Sequence, residues 1–119
     1  MKKSVSLCGA SGVEAVLGEL KIDALPSAPS AAASAFYSDY LPVISARLAS
    51  GLGHLTLLLP SAGTDHDDWR RTASRDLARD YAPSRVNCVG GGSEDAKAET
   101  LAYLRDAPGV TGQYLPLHD

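Results

Sequence analysis

The chain has 119 residues, 45% of them hydrophobic but only 6% aromatic, and carries a net charge of −3. That size suits one small domain over residues 1–119. The acidic balance and the lack of a Lys/Arg cluster exclude a nucleic-acid surface, and no apolar run reaches the roughly 18 residues of a membrane span. Alanine supplies much of the apolar fraction and buries little area, so the core is modest and the composition points to a partner chain. The opening Met1-Lys2-Lys3 is followed too soon by Glu14 and Glu19 for a signal peptide. Cys8 and Cys88 then read as free thiols, buried as small hydrophobes, in a cytoplasmic protein.

In chain order, Ser4–Gly9 reads as a short strand running into a glycine-containing turn. Val13, Val16, Leu17 and Leu20 have helical spacing over 13–20. Lys21–Leu25 is a second, weak strand stopped by Pro26 and Pro29. A long helix follows over 30–50, with Ser30 as its N-cap and a kink or break expected near Leu41, where Pro42 interrupts it. His54–Leu59 is an aliphatic run bounded by Gly and Pro, as in a strand buried on both faces of a parallel sheet. Asp65–Asp68 open a helix to about Tyr81, with Arg70, Arg71, Arg75 and Arg79 complementing its dipole. Arg85–Val89 is a strand, Gly90–Gly92 a sharp loop, Ser93 the cap of a helix over 94–105, and Gly112–Leu117 the closing strand. The alternation predicts an α/β fold with a parallel sheet of about five strands and crossover helices.

The second half resembles the short-chain dehydrogenase/reductase family. Leu77-Ala78-Arg79-Asp80-Tyr81-Ala82-Pro83-Ser84-Arg85-Val86-Asn87-Cys88-Val89-Gly90-Gly91-Gly92 resembles the family's LAxExAPxxIRVNxVxPG stretch. Ala102–Asp106 with Val110–Leu117 resembles its fLaSdxaxyvTGqxlxvDGG stretch. More loosely, Cys8–Gly12 resembles the opening of TGasxGIG, Lys21–Leu25 resembles IDvLVNNAG, and His54–Gly63 resembles grIVnisSxxG. The resemblance implies a shortened Rossmann-like domain that lacks the family's second and third strands.

The departures argue against catalysis. The nucleotide motif continues as Val13-Glu14-Ala15-Val16, without its last two glycines and with a carboxylate where phosphate would sit. Too few residues separate the first strand from Lys21–Leu25 for the adenine half of the cofactor site. The resemblance puts the family's Tyr and Lys, a proton-exchanging phenol and the amine that lowers its pKa, at Gly63 and Asp67. Ser61 lies one place from the family's substrate-orienting serine, the NNAG asparagine is replaced by Pro26–Pro29, and the family role of Asn87 is structural.

Other constellations are weaker. Asp65-His66-Asp67-Asp68 offers metal-competent donors, but consecutive positions rarely converge on one ion. Ser61 with His66 lacks the nucleophile-elbow pattern G-x-S-x-G. The expectation is therefore a non-catalytic subunit with no catalytic, cofactor or metal residues of its own. It would assemble as a hetero-oligomer, a heterotetramer being one arrangement, with a full-length catalytic paralogue that holds NAD or NADP. The resemblance matches helices 30–50 and 65–81, and the last helix and strand, to the family's subunit contacts. Phe36, Tyr40, Val43, Trp69, Ala73, Leu77, Tyr81 and Tyr114 are the candidate interface residues. The alternatives are a stand-alone small enzyme working at Ser61, His66 and Asp67, and a ligand-binding module at the strand ends near Gly9–Gly12 and Gly90–Gly92.

Overall fold

The computed structural model describes residues 17–118. Within them, four parallel strands lie side by side in chain order: β1 (Leu17–Lys21), β2 (His54–Leu59), β3 (Arg85–Gly90) and β4 (Tyr114–Pro116). The helices are α1 (Pro29–Ala35), α2 (Leu41–Ala49), α3 (Asp67–Asp80) and α4 (Glu94–Arg105). This is the α/β class with a parallel sheet that the alternation of periods predicts, in the shortened Rossmann-like form that the resemblance implies. The expected strand at Ser4–Gly9, its glycine turn, the start of the first expected helix and Cys8 lie outside the described residues.

Three local expectations are corrected. Leu17–Leu20 belong to a strand, not to the end of a helix, and the strand expected at Lys21–Leu25 ends at Lys21. β1 pairs with β2 from Leu17 opposite His54 to Lys21 opposite Leu58, and the Ile22 amide still donates to the Leu58 carbonyl at 2.9 Å. The apolar spacing of so short a run fits either period. What decides is that Leu20 and Ile22, two apart, both reach the core, and that Gly18 keeps the backbone close to α2 and the turn after it. A Cβ at Gly18 would lie 2.9 Å from Leu52 Cδ1 and 3.1 Å from Arg47 Nη2. In α1, Pro29 rather than a serine-capped Ser30 begins the helix; Ala28 is the N-cap and makes no side-chain bond. Proline suits this first turn because its missing N–H has no intrahelical partner there.

The break near Leu41 is present as a π-helical turn over Phe36–Tyr40, widening the helix just before Pro42. A proline ring collides with the carbonyl four residues back, and the wider turn relieves that collision. In α4, Ser93 accepts a bond from the Ala96 amide at 3.1 Å, as its cap role requires.

β2 is buried along nearly its whole length, yet its two faces differ chemically. Leu55, Leu57 and Leu59 join Ile22, Val86 and Cys88 in one apolar layer, covered by Phe36, Ile44 and Leu48 from the α1–α2 region and by Ala73 and Leu77 from α3. On the opposite face His54 and Thr56 are also buried, and with Leu101 and Arg105 of α4 they line one small cleft. Alternation along each strand separates the two sets.

Candidate functional site

At the carboxyl end of the sheet the loop after β1 lies beside the loop after β2, and both lead to helices on the same apolar face. Between them lies a cleft of about 450 Å³ lined by residues 23–27, 60–63, Asp65, His66 and Arg70. One side chain fixes the two loops relative to each other. His66 is buried, with Nε2 3.0 Å from the Ser27 carbonyl and Nδ1 accepting from Trp69 Nε1–H at 3.0 Å. An indole N–H only donates and a carbonyl only accepts, so the ring stands as the neutral Nε2–H tautomer with both nitrogens engaged.

Arg70 follows one helical turn later. It is 1% exposed, whereas Arg71, Arg75 and Arg79 are exposed along the same helix. Its Nη1 donates to the Tyr114 hydroxyl at 3.1 Å, and its guanidinium carbon lies 5.6 Å from the Trp69 ring centre and 5.7 Å from that of Tyr114. Nε is buried without a hydrogen-bond partner. Among the described residues, none of the ion pairs includes Arg70.

A second, smaller cleft of about 110 Å³ lies across Ser61, bounded by Asp67, Gly90, Gly91 and Tyr114. Gly91 has φ +66°, and a Cβ there would sit 2.6 Å from Ser61 Oγ. Ser61 is exposed and lines both clefts; with His66 it lines the larger one, but the His66 nitrogens are bound elsewhere. Asp67 pairs with Arg71 at 3.7 Å, and Asp68 reaches the same guanidinium at 4.0 Å. The four residues 65–68 therefore diverge around the start of α3. Among the described residues no group of three or more His, Cys, Asp or Glu side chains is placed to hold a metal ion.

On the opposite face, Asn87 has the structural role assigned to it. Its Nδ2 donates to the Val110 carbonyl at 3.0 Å and to His54 Nε2 at 3.1 Å, and its Oδ1 accepts from the Gln113 amide at 3.0 Å. Thr56 Oγ1 adds a longer contact to His54 Nε2 at 3.3 Å. Burial, and then the Arg85 guanidinium, push His54 down to about 4. Cys88 is fully enclosed, and burial pushes its thiol up to about 11 against the smaller opposing effects of Ser74 and Arg70. That environment keeps it protonated and unreactive at neutral pH.

The eight candidate interface residues sit mostly inside the chain. Phe36, Ala73 and Leu77 are buried against the sheet. Tyr40, Trp69, Tyr81 and Tyr114 are partly buried on the same core; Trp69 packs on Phe36 with ring centres 5.4 Å apart, and the Tyr81 hydroxyl meets Ser45 Oγ. Of the eight, Val43 is exposed. Helical periodicity identifies a stripe that is buried, not the body that buries it, and here the sheet of the same chain is that body. The exposed large apolar side chains among the described residues are Tyr37, Val43 and Tyr103. Tyr103, 58% exposed, faces an apolar groove with Leu115, Pro116 and Leu117 at the β4 edge.

Arg70 is the residue that sequence reasoning passes over. Grouped with three other arginines, it reads as a charge facing solvent and complementing the helix dipole. The available signal is its place on the stripe His66, Arg70, Ala73, Leu77, whose members are all buried.

Comparisons with curated proteins and with solved structures returned no match. A family model described as a short chain dehydrogenase-like protein matches residues 20–117, running from β1 to just beyond β4. The match spans well over half of the sequence, and the chain belongs to this SDR-like family.

Proposed function

We propose that the chain is a non-catalytic SDR-like subunit that assembles with a full-length catalytic paralogue, completes its oligomer and contributes to the wall of its substrate pocket. The observation that carries this reading is the residue content around the start of α3. Gly63 and Asp67 occupy the positions that the resemblance gives to the acid–base Tyr and its Lys. Glycine has no proton to exchange, and the Asp67 carboxylate, paired with Arg71, brings a negative charge where the family uses an amine. His66 has both nitrogens engaged, so it is not free to activate Ser61.

A nicotinamide cofactor fits the same residues poorly. The space between Ser61 and the Gly90–Gly91 loop is about 110 Å³, well under the roughly 300 Å³ at which ligand pockets begin. In this reading NAD or NADP belongs to the partner alone. The apolar groove of Tyr103, Leu115 and Leu117 lies on the last helix and strand, which the resemblance matches to a subunit contact. A stable interface there buries on the order of 1,600 Å² in total.

Co-expression with a full-length dehydrogenase paralogue, followed by a native mass measurement and an activity assay, tests the proposal. The expected result is a complex of defined stoichiometry whose activity or stability drops when this chain is omitted, and whose assembly is lost in Tyr103→Asp. A stable monomer with no affinity for the paralogue overturns it. Turnover by the isolated chain, abolished in Ser61→Ala, would establish the stand-alone enzyme instead.

A further inference from the structure

We propose that the cleft at the carboxyl ends of β1 and β2 binds a small hydroxy- or amino-carboxylic acid, with the ligand carboxylate held by Arg70. This inference is independent of the subunit reading, because it concerns the isolated chain. A guanidinium remains charged at any ordinary pH, and burying it without a counter-ion is strongly unfavourable. Structural arginines meet that cost with carboxylates or carbonyl groups, as Arg85 does with the Leu104, Ala107 and Val110 carbonyls. Arg70, 1% exposed, has instead one neutral hydroxyl on Nη1, two aromatic rings beside it, and an Nε with no partner. It also lines a cleft of about 450 Å³, within the range of small-molecule sites. The buried positive charge and the space beside it together define the anion site, and among the described residues no carboxylate pairs with the guanidinium.

The rest of the cleft selects the anion. Asp23 and Asp65 line it as well and are exposed. Two carboxylates in the lining repel a dianion such as phosphate, but accept hydrogen bonds from a hydroxyl or an ammonium group. A planar carboxylate matches the fork of a guanidinium, and a donor group next to that carboxylate meets the acids. The ligand is therefore a monoanion at one end and a hydrogen-bond donor at the other.

Trp69 is the sole tryptophan and lies against Arg70, so its fluorescence reports on the site. The full 119-residue chain is titrated at constant ionic strength with glycolate, with its neutral amide glycolamide, and with inorganic phosphate. The expected result is a saturable change with glycolate, none with glycolamide over the same range, and weaker binding of phosphate. In Arg70→Met the glycolate affinity should fall about tenfold to a hundredfold, the usual weight of a hydrogen bond to a charged group. Equal responses to glycolate and glycolamide, no saturable response in the unaltered chain, or unchanged affinity in a folded Arg70→Met chain would each overturn the proposal. Phosphate binding more tightly than glycolate would overturn the carboxylate assignment. If Arg70→Met does not fold, the contrast between acid and amide on the unaltered chain still decides.

Discussion

Buried polar groups lie against both faces of the sheet, and two of them, Asn87 of β3 and Arg70 of α3, are handled in opposite ways. Behind the sheet, Asn87 spends its amide on His54, Val110 and Gln113, with each bond near 3 Å and each partner a protein group. At its carboxyl end, Arg70 is as deeply buried but ends in an unpaired Nε and no counter-charge among the described residues. A satisfied network holds loops in place, here the turn that delivers β4 beside β3. An unsatisfied cation is tolerated by folding only where something else gives it a reason to remain. Burial alone therefore does not distinguish structure from function; the completeness of the hydrogen bonding does.

The sharpest way to break the comparison is on the satisfied side. Asn87→Leu removes three bonds and leaves the Gln113 amide without its partner, the Val110 carbonyl keeping its bond from Arg85, so it should destabilise by about 3–5 kcal/mol. Urea denaturation of the two chains measures this, and a loss below about 1 kcal/mol would mean that the network is not what holds the β4 turn. The next effect is a pH dependence. His54 is held near 4 when folded, below its ordinary 6.5. Between these values the unfolded chain binds a proton that the folded chain does not, so stability falls as pH drops from about 6.5 to 4 and levels off below. Over the whole window the loss is roughly 3 kcal/mol. His54→Gln should remove that acid slope; an unchanged slope would assign it to other groups.

A smaller effect belongs to the wall between the clefts. Gly91 has a left-handed backbone, and Gly91→Ala should destabilise by about 1–2 kcal/mol from that conformation. The exposed Ser61 hydroxyl can turn away from the added methyl, so contact with Ser61 should add little. A combined Ser61→Ala/Gly91→Ala chain as unstable as Gly91→Ala alone would establish backbone strain as the cause, whereas recovery on removing the hydroxyl would establish contact.

Much of this architecture is legible in the residues. β2, β3 and α4 fall where aliphatic runs, glycine turns and the Ser93 cap place them, and the break before Leu41 follows from Pro42. β1 is misread because apolar residues over so few positions satisfy two periods at once, and pairing with β2 settles which one holds. The burial of Phe36, Ala73 and Leu77 within the chain is hidden for a related reason: they form true apolar stripes, but a stripe does not say whether its cover is the same chain or another. Ser61 and His66 do meet in one cleft. Arg70 is hidden because a helix with several arginines looks solvated from its composition, and only the position of each on the helix separates the buried one from the rest.

The smallest expected stability effect is also the one that best separates the two faces. Arg70→Met replaces the buried cation by an apolar side chain of similar length. It gives up the bond to the Tyr114 hydroxyl and the contacts with two rings, each a modest gain. It also relieves the burial of an unpaired charge, and replacing buried ions by apolar groups is often neutral or stabilising. These terms oppose each other, so the variant's stability should lie within about 1 kcal/mol of the parent chain, against several for Asn87→Leu. Thermal unfolding of both variants without added carboxylate makes the comparison directly. If Arg70→Met proves as damaging as Asn87→Leu, Arg70 is a member of the structural framework and the two faces are alike. A near-neutral result leaves a buried guanidinium that the fold does not need, beside the cleft at the carboxyl end of the sheet.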